Sequence, residues 1–116
     1  LYYRLEDKIF PSDVLVYKKD GKLFVGRVIG QPGDVINIPD EGGLFINGNA
    51  QIEEGIFYDT RPYDTEAVRY PITLKEDEYF LMADMRSGAK DSRLFGAVKL
   101  SEIEGKVITI LRRSSL

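Results

Sequence analysis

The chain has 116 residues, room for one domain around one modest core, and its 43% hydrophobic and 30% charged content is ordinary for a globular protein. A net charge of −3 gives no basic footprint, so nucleic acid is not an expected partner. Cys and His are both absent, which excludes disulfides, thiol nucleophiles, Ser-His-Asp triads and HExxH zinc helices; hydrolytic chemistry would fall to carboxylates or to a serine activated by lysine. No metal site and no cofactor are expected. No apolar run reaches the roughly 18 residues that span a bilayer.

Residues 13–18 (DVLVYK) and 22–30 (KLFVGRVIG) are rich in β-branched and aromatic side chains, and the Asp20-Gly21 pair between them predicts a hairpin. Gly26 is the oddity of the second run, because a glycine inside a strand weakens pairing and leaves a gap on one face. Gln31-Pro32-Gly33-Asp34 reads as a turn, with Pro32 at its first corner, Gly33 able to take a positive φ and Asp34 closing it. Residues 35–38 (VINI) alternate as a half-buried strand does, and 39–43 form a loop. Residues 44–46 and 50–52 flank Asn47-Gly48, a second hairpin signal.

Residues 53–71 carry Tyr58, Tyr63 and Tyr70 among polar neighbours with no sustained period, which predicts an irregular surface excursion or small lobe. Its tyrosines read as packing residues, with a partner-binding patch as the alternative. Residues 78–82 (EYFLM) form a short buried strand, 84–93 (DMRSGAKDSR) a charged loop, and 95–98 a further ordered piece. Residues 101–105 predict one helical or 3₁₀ turn before a last strand at 106–111 (KVITIL). Short strands, hairpin turns and no amphipathic helix beyond a turn or two predict an all-β domain, a partly closed antiparallel barrel or sandwich.

The charged loop has two readings. It is an ion-pair network closing over the sheet, with Asp91 and Arg93 as pins, since Arg holds a carboxylate through two parallel hydrogen bonds. Or it supports a catalytic or substrate-binding groove. Spacing does not separate the two.

Two blocks bear on that choice. RVIGQPGD (27–34) and EYFLMADMRSGAKDSRLFGAV (78–98), in this order, closely resemble the type I signal peptidases of bacteria. That family shows a strand of the kind KRVIGLPGD and a later block of the kind YFVMGDNRDNSKDSRxFGxV. The resemblance covers nearly the whole chain, least clearly at 53–71. It implies an antiparallel β fold, also shared by LexA-type self-cleaving proteins, as a single domain over 1–116. The core would take roughly 1–38 and 74–116, and a small inserted lobe roughly 39–73. It further implies an N-terminal membrane anchor ahead of Leu1 and a location at the outer face of the cytoplasmic membrane.

The family mechanism pairs a serine with a neutral lysine whose pKa is lowered by apolar surroundings. The lysine immediately precedes the Arg of RVIG; here that position is Gly26. The serine belongs to an SMxPT-type motif, which residues 1–13 lack; Ser12 lies in FPSD instead, so the nucleophile position is expected upstream of Leu1. Where the family has a serine that bonds the lysine, this chain has Ala89, and where it has GDN this chain has Ala83, Asp84 and Met85. Arg27, Asp34, Asp91, Ser92 and Arg93 match. The groove and its frame are therefore expected at Arg27, Asp34, Ala83, Asp84, Met85, Asp91, Ser92 and Arg93, with Gly26 and Ala89 as the degenerate catalytic positions.

The resemblance thus implies a signal-peptidase-like protein without the chemistry, a binding or assembly accessory. Its expected partner is an extended peptide or surface protein, a pilin or sortase-system component, in a context of Gram-positive pilus polymerisation. The alternative is an active signal peptidase with an atypical base, for which Lys18, Lys22 and Lys90 are the candidates. A self-cleaving regulator of the LexA kind is a third reading, and nothing in the charge balance suggests the DNA-binding domain that accompanies it.

Overall fold

A computed structural model of the chain describes residues 2–3, 9–52, 60–63 and 68–107. Its strands are β1 (Tyr2–Tyr3), β2 (Val14–Lys19), β3 (Lys22–Gly30), β4 (Val35–Asn37), β5 (Phe45–Ile46), β6 (Asn49–Ala50), β7 (Ile72–Thr73), β8 (Glu78–Met82), β9 (Val98–Lys99) and β10 (Ile103–Val107). One short helix, α1 (Ser92–Phe95), precedes β9, and a 3₁₀ turn (Leu100–Glu102) precedes β10.

Two hairpins follow directly from the sequence. β2 and β3 pair antiparallel from Val14 opposite Arg27 to Lys19 opposite Lys22. Their turn holds Asp20 at φ 52° and Gly21 at φ 78°, the paired positive φ that reverses a right-twisted strand pair in two residues. β5 and β6 are joined likewise by Asn47 at φ 53° and Gly48 at φ 84°. The described strands form two antiparallel sheets, one in the order β1-β10-β2-β3-β8-β9 and a smaller one in the order β6-β5-β4-β7.

Side-chain alternation along β8 links them. Leu81 faces a core with Ile9, Leu15, Tyr17, Val28 and Val98. Phe80 and Met82 face the other way, into a core with Ile36, Ile38, Leu44 and Leu74. β8 is therefore a wall buried on both faces, which explains why EYFLM reads as a nearly continuous apolar run. Each fully buried side chain of this size contributes about 1.5–3 kcal/mol of hydrophobic stabilisation.

Local detail differs from the sequence reading at several points. β4, expected as a strand, pairs with β5 and β7, so residues 35–37 belong to the smaller sheet. The backbone of Asp34 joins this arrangement, its carbonyl accepting from the Leu74 N–H at 2.9 Å. The piece at 95–98 is partly helical: α1 is started by the Asp91 carboxylate, which accepts from the Arg93 N–H, and ends at Gly96 with φ 82°. A four-residue helix has no 3.6-residue apolar period to reveal it. The 3₁₀ turn lies at Leu100–Glu102 and Gly105 is already in β10, so the last strand starts at Ile103 rather than Lys106. Residues 108–111 of that expected strand, and Tyr58, lie outside the described residues.

Candidate functional site

The sequence DSR folds into a closed polar knot. Asp91 and Ser92 are fully buried and Arg93 is 1% exposed. Arg93 grips Asp91 through two parallel bonds, Nε to Oδ1 at 3.0 Å and Nη2 to Oδ2 at 2.8 Å. The same carboxylate accepts from the Ala83 N–H at 3.0 Å and from the Arg93 N–H at 3.0 Å. Arg93 Nη1 donates to the Arg86 carbonyl at 2.8 Å, and Ser92 Oγ accepts from the Leu81 N–H at 2.9 Å. Burying an ion pair stabilises only when its remaining lone pairs and protons are also satisfied, and here the surrounding backbone supplies the partners. The knot fixes where β8 ends, because Ala83 gives its N–H to Asp91 instead of to β3.

The second frame contact spans 57 residues in sequence. Arg27 Nε and Nη2 hold both Asp84 oxygens at 2.9 and 2.8 Å, while Arg27 Nη1 donates to the Ser12 carbonyl at 3.0 Å. The Arg27 hydrogen bond holds the Asp84 carboxyl below the usual carboxylate range, against a smaller opposing effect of burial. Met85 beside it is exposed. Asp34 closes its turn as expected, Oδ2 accepting from the Gln31 N–H at 2.9 Å, and Oδ1 also receives Asn47 Nδ2 at 3.0 Å. Turn and hairpin are thereby stapled.

Gly26 differs from expectation in one respect. It keeps its in-register place opposite Leu15, and the gap is closed. A Cβ added there would lie 3.1 Å from Leu81 Cβ and 3.4 Å from Tyr17 Cε1. Neighbouring apolar groups have settled into the space a side chain would take, as close-packed interiors require. Tyr17 is fully buried and its hydroxyl has no partner; burial, then the Asp91 charge, pushes its pKa well up, keeping it neutral. The atoms nearest a Cβ at position 26 are therefore carbons of Leu81 and Tyr17.

Ala89 sits at the far end of the charged loop, its carbonyl accepting from the Tyr63 hydroxyl. Lys18, Lys22 and Lys90 are all exposed. Lys19 is tied to Glu102 at 2.9 Å and Lys106 to Asp13 at 3.0 Å.

A strand edge lies beside Gly26. β8 pairs with β3 at Arg27, Val28 and Gly30, so residues 22–26 of β3 extend past it, paired with β2 alone among the described residues. On the face of β3 that carries Arg27, Leu23 and Val25 are each 54% exposed. Among the described residues no group of three or more acidic, His or Cys side chains is arranged to hold a metal ion. Sequence reasoning missed the Arg27–Asp84 pair and the Tyr63–Ala89 bond; a contact between residues far apart in the chain leaves no periodic signal.

Comparison with known proteins agrees with this geometry. A family model described as signal peptidase, peptidase S26, matches residues 6–111. A probable signal peptidase I-2 of Synechocystis sp. is 29% identical over 111 residues, covering 90% of this chain and 48% of that protein. Signal peptidase I P of Bacillus subtilis subsp. natto is 33% identical over 89 residues, covering 71% of this chain and 47% of that protein. The chain therefore spans about half the length of the curated relatives it matches. A crystal structure of a signal peptidase I from Enterococcus faecalis V583 superposes with a TM-score of 0.70 at 27% identity, covering 88% of this chain and 98% of that one.

Proposed function

The chain belongs to the signal peptidase family, peptidase S26, and from that premise we propose that it keeps the fold as a module that binds an extended peptide without cleaving it. The observation that carries this reading is Gly26. A glycine neither accepts nor donates a proton through its side chain, and its place is packed by Leu81 and Tyr17. Ala89 supports it, since a methyl group cannot hold a lysine by hydrogen bond. Lys18, Lys22 and Lys90 are exposed whereas position 26 is buried, which argues against a relocated base.

The binding surface in this reading is residues 22–26 of β3. An extended peptide adds there as a strand, main-chain bonds giving affinity and side chains such as Leu23 and Val25 giving selectivity. The module would work at the outer face of the cytoplasmic membrane, held by an N-terminal anchor, as an accessory of surface pilus polymerisation. A pilin or a sortase-system component would be its partner.

The test is photo-crosslinking in cells, with benzoylphenylalanine in place of Leu23 in the full-length protein. Capture of an intact pilin or sortase-system component is expected. Crosslinks confined to secreted preproteins that leave without their signal peptides, or no crosslink at all, would overturn the reading in favour of an active peptidase.

A further inference from the structure

Residues 60–63 run between the smaller sheet and the charged loop, and they are bonded to both. On the lobe side the Gly43 N–H donates to the Thr60 carbonyl at 2.8 Å, and Arg61 Nη1 reaches the Asp40 carbonyl at 3.4 Å. On the loop side Arg86 Nη1 donates to Thr60 Oγ1, and Arg93 Nη1 lies 3.5 Å from the Arg61 carbonyl. The Arg93 guanidinium also sits 4.5 Å from the centre of the Tyr63 ring, a cation–π contact made stiff because the same guanidinium is locked on Asp91. From that platform the Tyr63 hydroxyl donates to the Ala89 carbonyl.

Among the described residues, no hydrogen bond joins Ala89 to β3. Neither Gly26 nor Ala89 has a polar side-chain atom, and Tyr17 at the Gly26 position has an unpartnered hydroxyl. Tyr63 is also the shared wall of two cavities. One, of about 820 Å³, is lined on the lobe side by Ile38, Val68 and Tyr70. The other, of about 390 Å³, is lined on the loop side by Arg86, Ser87 and Gly88.

We propose that Tyr63 is a positioning residue, a strap that tethers the middle of the charged loop, residues 87–90, to the small lobe, while Arg27 holds the start of that loop, Asp84, to β3. The proposal stands whether or not the groove binds a peptide. It predicts one direction of coupling: whatever moves residues 60–63 frees the segment around Ala89, while Asp91, Ser92 and Arg93 keep the base of the loop in place.

The experiment is residue-resolved amide exchange by NMR on the native chain and on Tyr63→Phe, with Tyr70→Phe as the control. Tyr63→Phe deletes the tethering hydroxyl and keeps the ring on Arg93. Tyr70→Phe deletes a hydroxyl on the other wall of the same cavity that has no partner. Losing one hydrogen bond of ordinary strength predicts exchange at residues 87–90 faster by roughly two- to tenfold in Tyr63→Phe. Leu15 and Val28 should be unchanged, and Tyr70→Phe should match the native pattern. Unchanged exchange at 87–90 in Tyr63→Phe would overturn the proposal. So would a uniform increase across the sheet, which would mark a loss of global stability, or an equal effect from Tyr70→Phe.

Discussion

The charged loop joins two neighbourhoods of opposite construction. At Asp91, Ser92 and Arg93 polar groups are buried and bonded to one another and to the backbone. At Gly26 and Ala89 no polar side chain remains, and around Gly26 the space has been taken by Leu81 and Tyr17. The first neighbourhood fixes backbone positions and tolerates no loss of a partner. The second would need a buried amine to perform chemistry, and an amine there would pay a desolvation penalty that Gly26 avoids. The buried ion pair holds the frame, and Gly26 is packed within the core.

Substitutions sharpen that contrast. The largest effect belongs to the knot. Arg93→Ala leaves Asp91 buried and uncompensated, and should cost about 3–5 kcal/mol in urea unfolding, a large share of an ordinary domain's stability. A cost below about 1 kcal/mol would mean the pair is solvated. Next is Gly26→Ala, which pushes a methyl group against Leu81 Cβ and should cost about 1–3 kcal/mol by overpacking; a neutral result would show that the gap read from the sequence exists after all. Tyr17→Phe removes an orphaned hydroxyl from the same wall, so thermal unfolding should show no loss and up to about 1 kcal/mol of gain.

The smallest effect is at the rim. Arg27 and Asp84 are partly exposed, with side-chain exposures of 38% and 50%, and such pairs contribute about 0.2–1 kcal/mol. Because the Arg27 hydrogen bond depresses the folded pKa of Asp84, its contribution is fully present above the unfolded value of about 3.9 and is lost as pH falls through the lower folded value. Asp84→Asn should therefore narrow its stability gap to the native protein on acidification below about pH 4. A gap that stays constant with pH would contradict the assigned cause.

Much of this was legible in the residues. Asp-Gly and Asn-Gly pairs specify two hairpins because few residue pairs accept two positive φ values in succession. Asp34 closing its turn and Arg93 gripping Asp91 follow from short-range reach. What escaped depends on groups brought together by the fold. VINI reads as a strand, but its pairing with β7 rather than with the larger sheet is set by packing of Ile36 on Leu74 and Phe80. Gly26 reads as a gap, yet whether a gap is filled depends on Leu81, 55 residues away, and Tyr17 across the hairpin. Arg27 with Asp84 joins a strand to a loop and Tyr63 with Ala89 joins two irregular segments, long-range contacts for which sequence holds no periodic trace.

In the proposed function, position 26 lacks the family's base while the frame around it is intact. The direct measurement is cleavage of a fluorogenic signal-peptide substrate by the full-length protein, beside its Gly26→Lys/Ala89→Ser variant. No turnover by the native protein is expected at any enzyme concentration. Steady turnover by the native protein would overturn the non-catalytic reading.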